Sequence, residues 1–139
     1  MLKLTHPIVD LCIVCSNFGE SLRFYHELLG LEIAFDVQIP ESLATGLGLA
    51  PRTFRQVRLK AGNTLIKLVE IESPPPARPG DFAAGVRWLT FFVEDIQATV
   101  RELESKGVKF LSKPLAAPDA AGVVCAKGPD GILVEFVQV

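Results

Sequence analysis

The sequence lacks three features that would each indicate a class of function: a basic excess, a long apolar run and a paired set of cysteines. Its 14 Lys and Arg are outnumbered by 16 Asp and Glu, so we expect neither nucleic acid nor an anionic membrane as a partner. No apolar run approaches the roughly 20 residues that span a bilayer. What remains is a globular chain of 139 residues with ordinary hydrophobic content, 49%, enough to bury the core of one domain.

The cysteines indicate no disulfide framework, because their number, three, is odd. Cys12 and Cys15 have C-x-x-C spacing, but residues three apart in an extended strand point to opposite faces. We therefore interpret them as small core residues rather than a redox or zinc pair. The N-terminal segment MLKLTHPIVD has no signal-peptide pattern, and we expect a cytoplasmic protein.

What the sequence does contain is an internal repeat. Segment 11–35 corresponds to segment 89–111, at an offset of 78 residues until the helix end and 77 after it. Each copy is a β-rich run, a polar cap, an amphipathic helix, a glycine and another β-rich run. The predicted helix caps and ends are Asn17 and Gly30 in the first copy and Asp95 and Gly107 in the second.

The repeat divides the chain into two modules, each a strand, a helix and about three more strands. Segment 62–71 corresponds to 130–139 at an offset of 68, so the first module covers approximately 1–71 and the second approximately 82–139. The proline-rich stretch 72–81 is predicted to be a linker within a single domain. Residues 39–52 are predicted to form a surface loop with one short helix after Pro40.

These segments resemble the vicinal oxygen chelate superfamily, the group of glyoxalase I, bleomycin-resistance proteins and extradiol dioxygenases. The resemblance covers nearly the whole chain and is specific for the fold, whereas this fold hosts many chemistries. The matching residues are Ser21, Phe24 and Tyr25; 29–32; Phe91, Val93, Asp95 and Ile96; and 128–131 with Glu135.

The resemblance implies an α+β fold of two βαβββ modules, related by a pseudo-twofold axis and forming an open barrel around a cleft, with the helices outside. It also implies a homodimer, the common state of members of this size. Metal-using members hold a divalent cation at four inward positions, which correspond here to Asp10, Lys67, Trp88 and Glu135. The repeat supports this correspondence, because Asp10 and Trp88 lie 78 residues apart and Lys67 and Glu135 lie 68 apart.

These four residues make a poor set of metal ligands. The Trp88 indole offers no lone pair, and the Lys67 ammonium repels a dication. We therefore predict no tightly bound metal, with a weakly bound divalent cation at Asp10 and Glu135 as the alternative. In the simplest interpretation, Lys67 replaces the metal by forming an ion-pair network with Asp10 and Glu135.

The functional interpretation gives the same residues chemical roles. Lys67 is a candidate to bind an anionic group or polarise a carbonyl, and Glu135 and Asp10 are candidate proton-transferring bases. Trp88 and Phe92, on one face of a strand, form either an aromatic wall for a ligand or ordinary core. Weaker candidates are His6 as a further ligand and a basic rim of Arg52, Arg55 and Arg58.

Three functional hypotheses follow. The first is a glyoxalase-like protein that binds or transforms a small organic molecule in an aromatic-lined cleft without a tightly bound metal. The second is a metal-dependent lyase, isomerase or epimerase of the glyoxalase I or methylmalonyl-CoA epimerase type. The third is a non-catalytic interaction protein with a vestigial cleft. The sequence does not decide whether the protein is an enzyme.

Overall fold

The computed structural model describes residues 1–78 and 82–139, which divide into two compact units, Met1–Pro76 and Ala77–Val139. Each unit contains one four-stranded mixed sheet and one main helix. The predicted α+β fold with two βαβββ modules is confirmed. No helix in the described ranges is both long enough and apolar enough to cross a membrane.

The first unit contains one sheet of order β1-β4-β3-β2. Strand β1 pairs in parallel with β4, and the remaining pairs are antiparallel. The main helix begins as α1 and continues as a π-helix over Arg23–Leu28, and the predicted short helix after Pro40 is α2. The elements are β1 (Leu11–Val14), α1 (Phe18–Leu22), β2 (Ile33–Ile39), α2 (Glu41–Gly46), β3 (Phe54–Ala61) and β4 (Thr64–Glu70).

The second unit repeats this topology with a sheet of order β5-β8-β7-β6, in which β5 and β8 are parallel. A 3₁₀ turn at Pro129–Gly131 leads into the last strand. The elements are β5 (Trp88–Phe92), α3 (Ile96–Ser105), β6 (Leu115–Ala117), β7 (Ala120–Lys127) and β8 (Leu133–Gln138).

Local sequence explains where the main helices begin and end. The Asn17 side chain accepts a hydrogen bond from the Glu20 amide at 3.1 Å, and the Asp95 side chain accepts one from the Ala98 amide at 2.9 Å. Gly30 and Gly107 follow the helices with φ of +75° and +91°, which glycine adopts without strain. The predicted caps and ends of both helices are confirmed.

Each sheet has one face buried against its helix. In the first unit, α1 contacts β4, and the buried side chains include Ile13, Leu59 and Leu68. In the second, α3 lies on β7, where a side chain at Gly122 would place its Cβ 3.0 Å from Ile96. We call the opposite faces the first open face (Cys12, Phe35, Gln56, Arg58, Lys67 and Val69) and the second open face (Trp88, Thr90, Phe92, Cys125 and Glu135).

The predicted linker is described only in part. Residues 72–78 form neither helix nor strand, and 79–81 lie outside the described residues. The segment 39–52 has a more definite packing. Helix α2 places Ala44 against Phe54 and Val69, all buried, so that this segment covers one end of the first open face.

Removing a helix cap should lower stability by about 1 kcal/mol, because the capped amide then loses its acceptor. We expect Asp95→Ala and Asn17→Ala each to show this loss in urea denaturation. Glu104→Ala removes an exposed carboxylate from the same helix as Asp95 and should change stability by less than about 0.5 kcal/mol. Equal effects of Asp95→Ala and Glu104→Ala would contradict the capping role.

Candidate functional site

Asp10 lies immediately before β1, where its carboxylate extends the strand pairing. Its Oδ1 accepts a hydrogen bond from the Leu65 amide of β4 at 3.0 Å. Its Oδ2 lies 3.4 Å from the Lys67 ammonium nitrogen, forming an ion pair whose side chains are only 29% and 26% exposed. The parallel pairing of the two strands thus brings together two of the four residues that the sequence singled out.

The Leu65 amide is the main cause of the lowered pKa of the Asp10 carboxyl, and the neighbouring Lys67 lowers this pKa further. Arg58 adds a smaller effect in the same direction. Asp10 is therefore an anion at neutral pH, held by a donor and a cation. Its lowered pKa makes it a weak proton acceptor, which counts against a role as a general base.

Two of the three arginines predicted to form one basic rim lie on opposite faces of β3. Arg55 and Arg58 lie three residues apart on β3 and so point to opposite faces. Arg55 pairs with Asp36 at 2.8 Å and with Glu70 at 3.5 Å. Arg58 instead lies on the first open face, where its Nε donates to the Gln56 side-chain oxygen at 2.7 Å.

The second open face carries exposed aromatic side chains around one carboxylate. Trp88 is 52% exposed and Phe92 is 73% exposed. Between them on β5, Thr90 donates its hydroxyl to Glu135 Oε1 at 2.7 Å. Glu135 also lies opposite Cys125 in the antiparallel pairing of β7 and β8, and burial, with a contribution from Glu135, raises the pKa of that thiol.

An apolar pocket of about 240 Å³ lies in the first unit beside the first open face. Strand residues form one wall and the segment after α2 forms the other. The lining side chains include Val14, Val69, Ile71, Leu49, Ala50 and Pro51. We call this the loop pocket. At this place the sequence predicted only a surface loop over 39–52 with one short helix.

The structure places the candidate residues as two pairs, one in each unit. Asp10 and Lys67 form an ion pair in the first unit, whereas Trp88 and Glu135 lie on adjacent strands of the second. The predicted network that would join Lys67 to Glu135 spans both units and stays a prediction. His6 is exposed in the segment before β1.

Two of the four side chains that the resemblance matches to metal ligands do not fit a divalent metal. Lys67 lies in an ion pair as a cation, and the Trp88 indole can only donate. Among residues 1–78 and 82–139, no three His, Cys, Asp or Glu side chains are grouped so that they could hold a metal ion. Lys67 and Trp88 therefore leave two of these four positions without a metal ligand.

The Asp10 carboxyl should titrate below the value of about 3.9 that is usual for aspartate. Because this pKa is lowered by folding, the stability that Asp10 contributes is present above the unfolded pKa and is lost as the pH falls through the folded pKa. We expect the Leu65 amide resonance to report this low midpoint in an NMR titration. Lys67→Met should raise the midpoint, whereas Lys109→Met, which removes an equal charge from the second unit, should not. A wild-type midpoint at or above the usual value would contradict the bonding seen here.

Two bacterial proteins are similar to this chain in sequence. The protein YaeR of Escherichia coli (strain K12), itself uncharacterized, is 33% identical over 99% of this chain and 97% of its own length. The uncharacterized protein YwkD of Bacillus subtilis (strain 168) is 29% identical over 78% of this chain and 76% of its own.

Solved structures show the fold at lower identity. A glyoxalase family protein from Bacillus cereus superposes with a TM-score of 0.76 at 21% identity, covering 99% of this chain and 95% of that one. TnmS3, an antibiotic binding protein from Streptomyces sp. CB03234, superposes with a TM-score of 0.68 at 21% identity and 98% coverage of both chains. The model of the Glyoxalase/Bleomycin resistance protein/Dioxygenase superfamily matches residues 6–136. The chain therefore belongs to the Glyoxalase/Bleomycin resistance protein/Dioxygenase superfamily.

Proposed function

We propose that this protein binds a small organic molecule against the open faces of its sheets, without the tightly bound metal that other superfamily members use. The ion pair of Lys67 and Asp10 carries the proposal. Lys67 stands at the position that the resemblance matches to an acidic metal ligand, and its ammonium lies 3.4 Å from the neighbouring Asp10 carboxylate. An ammonium there offers a binding partner to an anionic or carbonyl oxygen instead of a lone pair to a metal.

The second unit supports binding through a different chemistry. Trp88 and Phe92 expose aromatic surface on the same face as the Thr90–Glu135 hydrogen bond. Ligand sites combine apolar walls with a few polar groups that orient the ligand, and this face has both. TnmS3, described as an antibiotic binding protein, shares the fold, which supports small-molecule binding as a function that this fold can carry.

Catalysis would place different demands on the same residues. Asp10 is held as an anion by Leu65 and Lys67, which leaves Glu135 as the candidate for proton transfer. A lyase or isomerase of the superfamily's metal-dependent type would need donors that Lys67 and Trp88 do not supply. Binding is therefore the function that we favour.

We further propose that the chain acts as a cytoplasmic homodimer, in keeping with the homodimers common among superfamily members of this size.

Metal analysis tests the central point. Elemental analysis of untagged protein should find less than stoichiometric Zn, Ni, Mn, Mg and Co, and adding any of these cations should leave the melting temperature nearly unchanged. In the triple variant Asp10→His, Lys67→Glu and Trp88→His, the four positions carry two histidines and two glutamates, the ligand types that the resemblance implies for metal-using members. This variant should gain metal-dependent stabilisation. A stoichiometric metal in the wild-type protein would overturn the proposal and favour the metal-dependent lyase or isomerase.

Fluorescence tests ligand binding at the second open face. The chain has a single tryptophan, Trp88, so a change in emission reports on this face alone. We expect some members of a library of small aromatic and aliphatic acids, amides and alcohols to change the emission saturably. Trp88→Phe keeps an aromatic surface but has no tryptophan emission, so it serves as the control for fluorescence of the ligands themselves. A library without any saturable change would contradict binding at this face.

Analytical ultracentrifugation tests the homodimer. A sedimentation coefficient that rises with concentration towards that of a 30 kDa particle, about twice the 15.1 kDa chain, would support it. A value that stays at that of the single chain up to about 0.1 mM would exclude a dimer of ordinary affinity.

A further inference from the structure

Two cations lie opposite each other on the first open face. Arg58 and Lys67 are register partners on the antiparallel strands β3 and β4, a placement that is unfavourable for like charges. Among residues 1–78 and 82–139, the one carboxylate paired with them is that of Asp10, through Lys67. Because Arg58 takes part in none of the ion pairs found in residues 1–78 and 82–139, the group of three has a net positive charge.

Arg58 is also held in one orientation. Its Nε donates to the oxygen of Gln56, a residue only 8% exposed, and its guanidinium lies 5.3 Å from the centre of the Phe35 ring. A cation stacked on an aromatic face is stabilised without being neutralised. The two terminal nitrogens of the guanidinium have no acceptor among the described residues, so they are available to an anion in the paired geometry that carboxylates favour.

The loop pocket opens along the same strands. Residues two apart in an extended chain lie on the same face, about 7 Å from each other. This places Lys67, Val69 and Ile71 in one row at the end of β4. Val69 and Ile71 line the pocket together with Val14 of the neighbouring strand. An apolar cavity therefore begins about one such step from the positive group.

We propose that the first open face binds a small carboxylic acid with an apolar body, its carboxylate between Arg58 and Lys67 and its body in the loop pocket. This inference rests on the proposed function and gives it a ligand class. The cavity of about 240 Å³ is below the 300–1,000 Å³ that is usual for drug-sized ligands, so the body is no larger than one ring or a branched chain. Glu72 lines the pocket, and its carboxylate repels the carboxylate of the ligand. This repulsion favours the orientation in which the acid group lies towards the two cations.

Phenylacetate is a suitable probe, because it joins one carboxylate to one ring. In ¹H–¹⁵N NMR spectra of the full chain, we expect titration with phenylacetate to shift the amide signals of Ala50 and Ile71 and the side-chain signal of Arg58 saturably. Phenylacetamide has the same shape without the charge and should bind at least tenfold more weakly. Acetate, which has the charge without the ring, should also bind at least tenfold more weakly.

Variants separate the charge from the pocket. Arg58→Gln should weaken phenylacetate binding about tenfold or more, whereas Arg58→Lys, which keeps the charge but loses the planar fork, should have an intermediate effect. Arg101→Gln removes an equal charge from the exposed face of α3 and is the matched control, with no expected effect. Val14→Phe changes a 45% exposed residue and fills the pocket, and it should weaken binding at least tenfold without unfolding the chain.

The inference would be overturned by equal binding of phenylacetamide and phenylacetate, by binding of phenyl phosphate but not of phenylacetate, or by signal changes confined to residues of the second unit. The last two would leave small-molecule binding intact, since that proposal is tested separately by metal content and Trp88 fluorescence. Loss of binding in Arg101→Gln equal to that in Arg58→Gln would likewise reject a specific carboxylate site.

Discussion

Both units depend on the parallel pairing of their first and last strands. Strand β1 lies beside β4, and β5 lies beside β8, so each helix must cross over before the chain returns through two antiparallel strands. This pairing aligns Cys12 with Lys67 and Thr90 with Glu135. The polar residues of each open face come from distant parts of the sequence, and only this strand order brings them together.

The same pairing explains why the two open faces differ in chemistry. In the first unit the last strand carries Lys67, and the cation is matched by Asp10 at the entrance of β1. In the second, the corresponding position is Glu135, which takes its hydrogen bond from Thr90 within β5. One topology therefore presents a basic face and an acidic, aromatic face from equivalent positions.

The features that the sequence predicted are those set by neighbouring residues. Asn17 and Asp95 cap helices because an acceptor three residues before a free amide is sufficient, whatever the rest of the chain does. Lys67 and Asp10 were predicted to meet because the resemblance matched both to metal-ligand positions, a match that the repeat supported. The sequence did not separate Arg58 from the other two arginines of the predicted rim. Its contacts with Gln56 and Phe35 depend on the register of β2 and β3, which shifts between Ile33 and Phe35. The loop pocket depends on how α2 packs, through Ala44 on Phe54, which no local pattern specifies.

The π-helical segment of the first unit accounts for a small irregularity of the repeat. The first main helix covers Phe18–Leu28 and the second Ile96–Ser105, so their starts are 78 residues apart and their ends 77. The wider turn is closed by the hydrogen bond from the Leu29 amide to the Phe24 carbonyl, five residues back. A π-turn holds one more residue than an α-turn over nearly the same rise. The extra residue of the first module therefore lies within its helix, and the strands before and after the helix occupy equivalent places in the two sheets.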